Sequence, residues 1–185
     1  NSELPTAQFD PSPYEGLDDK LRAGGINIVT VNEMKDDPEH SRKLHQLEGE
    51  LFLDVPGGEQ TAWPDYETWL TETANESGAL PDGYFIAMDE GAYVGLSFVM
   101  QDRASDALYQ MLTGTRRDYR RRGIALALKV RGIMYAKEHG YPLIKTSNAL
   151  TNTAMLALNR RLGFVALPDW IQVEKIILNH EDTAQ

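Results

Sequence analysis

Apolar residues recur along this chain with two periods, and the switches between them mark out the elements. Residues 25–31 alternate and are rich in β-branched side chains (Ile26, Ile28, Val29, Val31), the pattern of a strand. Asp37-Pro38 supplies an N-cap and an N1 proline for a helix whose Leu44, Leu47 and Leu51 recur at spacings of three and four. Pro64-Asp65 opens a second helix, carrying Tyr66, Trp69 and Leu70 as core aromatics and aliphatics, with Trp63 just before it. Residues 84–88 and 93–100 read as strands joined across Asp89-Glu90-Gly91-Ala92, a hairpin signal. A third antiparallel strand covers 108–115. Gly123 opens a helix with Ile124, Leu126, Leu128, Ile133 and Met134 as apolar positions, and Gly140 ends it as a C′ residue. Residues 142–146 make another strand. Asn152 caps a helix through Leu162, with Met155, Leu156 and Leu158 facing inward, and residues 170–178 form the closing strand.

Residues 1–24 carry Pro5, Pro11 and Pro13 with Gly16 and Gly24, and no clear period. They are expected to form a linker or an arm over the surface, leaving residues 25–180 as the domain. The order β-α-α-β-β-β-α-β-α-β predicts an α/β fold with a central mixed, mostly antiparallel sheet flanked by helices. At 185 residues the chain is long enough for one domain with a real core.

Composition narrows the function classes. No apolar run approaches the ~20 residues of a membrane span, and the polar start Asn-Ser-Glu-Leu-Pro lacks a secretory signal, so a cytoplasmic location without membrane contact is expected. That start also lacks an initiator Met, so the chain is expected to be a piece of something longer. The absence of cysteine rules out disulfides and thiolate chemistry. His40 and His45, five apart, fall on different helix faces, which argues for solvated side chains and no metal site. The net charge of −10 is uneven: residues 1–100 sum to −15 and residues 101–185 to +5. A basic half suits a phosphate-bearing cofactor, an acidic half a cationic substrate, and the overall sign disfavours nucleic acid.

The basic charge is concentrated where it has chemical meaning. Residues 116–122, Arg-Arg-Asp-Tyr-Arg-Arg-Arg, hold five arginines between the 108–115 strand and the Gly123 helix. A strand-turn-helix sequence aims the unpaired N–H groups and positive dipole end of the helix at whatever occupies the turn, and phosphate is the natural occupant. Gly123 lets an oxygen approach the backbone, and Ala125 keeps the next turn low. No G-x-S-x-G, H-E-x-x-H or P-loop spacing is present.

Arg120-Arg121-Arg122-Gly123-Ile124-Ala125 resembles the R/Q-x-x-G-x-G/A loop of the GNAT acyltransferase superfamily. A second motif, Asn152-x-x-Met155 followed by Leu162-Gly163-Phe164, is similar to that superfamily's closing helix, with the asparagine twelve residues before the phenylalanine. The resemblance runs roughly from Gly25 to Leu178 and looks closest to the C-terminal halves of tandem GNAT proteins. It implies the GNAT fold and direct acetyl transfer from acetyl-CoA to an amine in a ternary complex, with no acyl-enzyme and no metal. Implied cofactor contacts are the backbone of Leu112, Thr113, Gly114 and Thr115 for the pantetheine arm, and Arg120, Arg121, Arg122, Gly123, Ile124 and Ala125 for the pyrophosphate. Asn152 and Asn159 would bond the cofactor through their amides. The acceptor is expected to be a small-molecule amine, cationic in character, and a second GNAT domain or a second copy is the candidate protein partner.

Two positions depart from the superfamily. Asn159 stands where a tyrosine often protonates the leaving thiolate, and an amide cannot give up a proton at a useful pKa. Tyr109 stands where histone-acetylating members carry a glutamate base, and phenol is a poor base near neutrality. The candidates left for proton transfer are Tyr109, Asp54 and Glu50. The alternative is a catalytically weak acyl-CoA-binding regulatory half of a tandem protein.

Overall fold

The computed structural model describes residues 1–58, 61–75 and 78–168. Among the described residues, seven strands form one sheet: β1 (Ser2–Pro5), β2 (Ile26–Thr30), β3 (Ala79–Asp89), β4 (Ala92–Gln101), β5 (Leu108–Thr115), β6 (Leu143–Thr146) and β7 (Val165–Ala166). Their order is β2-β3-β4-β5-β6-β1-β7. Neighbours from β2 to β5 run antiparallel, β5 and β6 run parallel, and β1 is antiparallel to both β6 and β7. The helices are α1 (Leu17–Ala23), α2 (His40–Phe52), α3 (Tyr66–Asn75), α4 (Ile124–Glu138) and α5 (Thr153–Arg161). No helix among the described residues is long and apolar enough to cross a membrane.

Strand alternation sorts the core into two faces. Ile86 and Leu96 pack with Leu44, Leu47 and Leu51 of α2 and Trp69 of α3. The adjacent Phe85 and Ala87 point the other way, onto Leu21 of α1 and Ile124, Ala127 and Leu128 of α4. Period two in the strands and period 3.6 in the helices therefore meet in a helix-sheet-helix sandwich. The hairpin turn between β3 and β4 has Glu90 and Gly91 at φ 48° and 86°, the left-handed pair that matches strand twist.

Three expectations need correction. Residues 1–24 are no linker: β1 fills the sheet between β6 and β7, with Ser2 opposite Thr146 and Leu4 opposite Ile144. Leu4 and Phe9 are buried with Leu108, Ile133 and Phe164, and Leu21 anchors α1. Helix α2 opens at His40 and not at Pro38, because Asp37 Oδ1 accepts from the Glu39 amide (2.9 Å) in a turn ahead of the helix. The two histidines are not solvated. His40 Nδ1 shares a 2.8 Å hydrogen bond with the buried Tyr93 hydroxyl, and burial pushes the His40 pKa down and that of Tyr93 up to about 12. His45 donates to Pro64 O (2.9 Å) and packs on Trp63, Tyr66 and Trp69. The closing strand expected at 170–178 lies outside the described residues.

Because β1 is a core strand, Leu4→Ala should destabilise the protein by about 2–5 kcal/mol in urea unfolding. A change within about 0.5 kcal/mol, the range of surface substitutions, would return this segment to the status of an arm.

Candidate active site

The site is built on a fork in the sheet. β5 pairs with β6 only from Leu108 to Gln110, opposite Ile144 to Thr146. On its other edge β5 stays with β4 as far as Thr115, opposite Gly95. Ser97 faces Thr113 while Val99 faces Gln110, so β5 uses three residue steps where β4 uses two. Such a bulge bends a strand and ends regular pairing on its far side. Among the described residues, the edge of β5 facing β6 is thus free of sheet pairing beyond Gln110, and apart from Thr115 O, which accepts from Arg120 Nε (3.4 Å), its amides and carbonyls are left for another partner. A hydrogen bond from Thr146 Oγ1 to Gln110 O (3.1 Å) closes the fork at its base.

β5 runs directly into the arginine turn and the mouth of α4. Arg121 (φ 62°) and Gly123 (φ 88°) are both left-handed, and alternation of hand turns successive amides toward a common centre. A side chain at position 123 would be strained by that φ, whatever space it found. Among the described residues, the amides of Arg121, Arg122, Gly123, Ile124 and Ala125 donate to no carbonyl. With the dipole of a 15-residue helix behind them, they form an anion-binding concavity.

The turn's guanidinium groups are largely engaged. Arg117 Nη2 donates to Asp54 Oδ1 (2.6 Å), Arg120 bonds the other oxygen of Asp54, and Arg116 pairs with Glu50 (2.8 Å). Arg122 stacks on Tyr119, whose hydroxyl donates to Asp89 Oδ2 (2.9 Å). Arg121 makes no ion pair among the described residues.

Three cavities follow one another from this mouth. The first, about 340 Å³, is lined by Thr113, Gly114 and Thr115 of β5, by Arg120, Arg121 and Ala125, and by Asn152 and Met155 of the closing helix. It brings together seven of the residues expected to hold the cofactor. The second, about 430 Å³, shares Thr113, Asn152 and Met155 with the first and adds Tyr109, Leu112, Lys129 and Asn148. The third, about 550 Å³, shares Glu48, Phe52, Trp63 and Phe98 with the second and extends past Trp69 and Tyr84. Gly123 and Ile124 line none of them: Gly123 shapes the turn, and Ile124 is a buried core residue.

The remaining candidates fall into place around these cavities. Asn152 Oδ1 accepts from the Met155 amide (3.2 Å) as the N-cap of α5, which leaves its amino group for the cavity. Asn159 is buried at 2 % exposure and lines none of the three; its Nδ2 donates to Asn148 Oδ1 (2.7 Å), so it reaches the cavity only through Asn148. Tyr109 lines the middle cavity. Glu50 does not, because Arg116 draws it into a separate surface groove with Arg117 and Asp118. Hydrogen bonding from Arg117, together with the charge of Arg120, holds the Asp54 carboxyl below its ordinary pKa, so it is a weak base.

Sequence reasoning missed two charged groups, Glu48 and Lys129. Glu48 is 8 % exposed; it accepts from Trp69 Nε1 (2.6 Å) and from the Tyr84 hydroxyl, and it borders the second and third cavities. Its signal lay in the α2 stripe: Glu48 comes four residues after Leu44 and three before Leu51, an acid on the apolar face. Lys129 is likewise set into an apolar helix, at 1 % exposure.

A sequence model of the acetyltransferase (GNAT) family matches residues 41–164. The chain belongs to this family. Its sheet and helices are those of the GNAT fold. No curated protein sequence matches the chain. Among solved structures, a GCN5-related N-acetyltransferase from Sphaerobacter thermophilus is 25% identical with a TM-score of 0.58, over 76% of this chain. The match spans only 41% of that protein's length. An aminoglycoside N-acetyltransferase in complex with CoA is 18% identical with a TM-score of 0.60, over 81% of this chain and 94% of its own. The diaminobutyrate acetyltransferase of Paenibacillus lautus, in complex with L-2,4-diaminobutyric acid and coenzyme A, is 18% identical with a TM-score of 0.52, over 74% and 73%. At 18% identity, the last two demonstrate a common fold.

Asp54→Asn should therefore leave the turnover of this GNAT protein within about twofold when thiol release from acetyl-CoA is followed, since exposed ion pairs contribute little. A hundredfold loss would instead assign Asp54 the proton-transfer role that its arginine partners argue against.

Proposed function

We propose that the chain transfers the acetyl group of acetyl-CoA directly to a primary amine on a small molecule, with both substrates bound at once. The observation that carries this reading is the joining of two features in one cavity: the unpaired edge of β5 and the amide-rich mouth of α4. The mouth suits a diphosphate, and Arg121 suits a further phosphate oxygen. A pantetheine arm carries two amides, and a free strand edge offers matching donors and acceptors at strand spacing. The backbone N–H groups between Leu112 and Thr115 that face away from β4 also supply donors for the thioester oxygen as charge develops on it.

The amine enters from the third cavity. Its walls are apolar and aromatic, from Phe52, Trp63, Trp69, Tyr84 and Phe98, with the Glu48 carboxylate where it meets the second. Aromatic faces and a buried carboxylate favour an ammonium-bearing molecule over a neutral one. Glu48 receives that ammonium and takes up the proton that must leave before nitrogen can attack. Proteins of the same fold bear on this choice of acceptor: structures exist with the aminoglycoside sisomicin and with diaminobutyric acid, both amines. A second reading, an acyl-CoA-binding half without turnover, draws on Asn159, an amide where the superfamily often has an acid.

Titration with acetyl-CoA, followed by thiol release across a panel of cationic and neutral amines, separates the two readings. Release with at least one amine supports transfer; tight binding with no release on any amine supports the second. Gly123→Glu puts a strained, anionic side chain into the mouth and should lower acetyl-CoA affinity at least a hundredfold; near-normal affinity would contradict the loop assignment. Glu48→Gln preserves the size of the side chain and should raise KM for a cationic amine about tenfold, the loss of one charge-assisted bond, with acetyl-CoA affinity unchanged. Equal KM values would remove Glu48 from the acceptor site.

A further inference from the structure

The middle cavity is bordered by a buried lysine that the reading above does not use. Lys129 lies six residues beyond Gly123 on α4, is 1 % exposed, and borders the same cavity as Thr113, Asn148 and Asn152. It makes no ion pair among the described residues; its Nζ sits over the Phe164 ring, 5.2 Å from the centroid. A buried charge without a carboxylate partner is costly, and a methionine or leucine at such a position normally stabilises a fold. Burial also pushes the Lys129 pKa down to about 7. Desolvated groups of this kind, bordering a cavity between the cofactor mouth and the aromatic chamber, are the ones that proton-transfer sites use.

We propose that Lys129 is the proton donor to the departing sulfur of CoA, an assignment that rests on the acetyl-transfer reading. Nitrogen of the amine bonds to the acetyl carbon, the carbon–sulfur bond breaks, and its electron pair goes to sulfur. The Lys129 ammonium passes one proton to that sulfur, giving the free thiol, and the neutral lysine regains a proton from water after the products leave. The ammonium gives up two protons, one to Glu48 before attack and, once Glu48 has passed that proton to solvent, a second from the nitrogen as the amide forms; one of the two offsets the proton that Lys129 spends, so the cycle releases one proton net. An acid near neutrality is matched to a thiol with a pKa of about 8.5, because the transfer runs downhill while the acid is still protonated at working pH. The role falls to Lys129 because Asn159 cannot fill it. The other titratable groups around this cavity are Glu48 on α2 and Tyr109 on β5.

The sign of the pH effect is fixed by this role. A donor must be protonated, so turnover at saturating substrates should fall as pH rises through the Lys129 pKa, and that alkaline limb should vanish in Lys129→Met. Lys129→Met and Lys129→Arg should each reduce turnover at least thirtyfold while changing acetyl-CoA affinity less than threefold; Arg keeps the charge and cannot release the proton. Tyr109→Phe should retain the limb. A readout independent of turnover is the titration of Lys129 in the free protein, labelled with ¹³C at lysine Cε and assigned by the Lys129→Met spectrum, with a midpoint expected near 7. A midpoint above 9.5, an unchanged pH limb in Lys129→Met, or full activity in Lys129→Arg would overturn the assignment. Mass spectrometry showing the acetyl group on Lys129 itself would do the same, making it an acceptor. If wild-type protein releases no thiol with any amine, the transfer reading falls and this proposal with it; turnover undiminished in both Lys129 variants removes the Lys129 role alone.

Discussion

The candidate site of this molecule depends on β5 having two different neighbours. β4 holds one edge of it along its whole length, while β6 lets go after Gln110. Backbone amides and carbonyls are obligatory hydrogen-bonding groups, so an edge left unpaired inside a domain demands a partner. The bulge opposite Ser97 and Val99 bends the strand, and the Gln110–Thr146 bond stops the fork from closing further or opening wider. The parallel pairing itself requires a crossover, and that crossover is α4, whose N-terminus is delivered to the open end of the fork. One topological fact therefore supplies both a strand edge and a ring of amides, side by side.

Charge is distributed along the same line. At the mouth, Asp54 and Glu50 hold Arg116, Arg117 and Arg120 in place at positions that water still reaches, so the pairs are weak and exchangeable. A phosphate entering there competes with carboxylates on nearly equal terms, and has the helix amides in addition. Farther in, Glu48 and Lys129 are both shielded from water, one toward the aromatic chamber and one against α4. There the effective dielectric is lower, and charge on either group is less screened than at the mouth.

Much of this could be read from residue order. The change from alternation to helical period at 115–124, with five arginines between, marks β5, the turn and α4 at once, and the Asn152 cap and Gly163 stop bracket α5. What escaped notice did so for physical reasons. β1 is four residues with a single large apolar side chain, and it ends on a proline; only its partners β6 and β7, far along the chain, make it a strand. The spacing of His40 and His45 points to solvated side chains because a helical wheel does not show that Tyr93 and Trp63 come to meet them. The fork is invisible in sequence, since strand pairing is a property of two segments and a bulge needs both registers. Asp54 and Glu50 looked like free carboxylates because their arginine partners lie more than 60 residues away.

Glu48 and Lys129 share one lesson. Each sits on an otherwise apolar helical face, where an aliphatic side chain would pack at no electrostatic cost. Their helices approach the fork from separate segments of the fold, and the middle cavity is the space they both border. A proton acceptor toward the amine entrance and a proton donor toward the sulfur side are what aminolysis of a thioester needs, because the nitrogen must lose a proton while the sulfur gains one. Two carboxylates would leave the sulfur side without a cation, and two lysines would repel the ammonium at the entrance. On the proposed reading, one acid and one base on opposite flanks also keep the cavity near neutrality, so a cationic acceptor would meet attraction first and repulsion only deeper in.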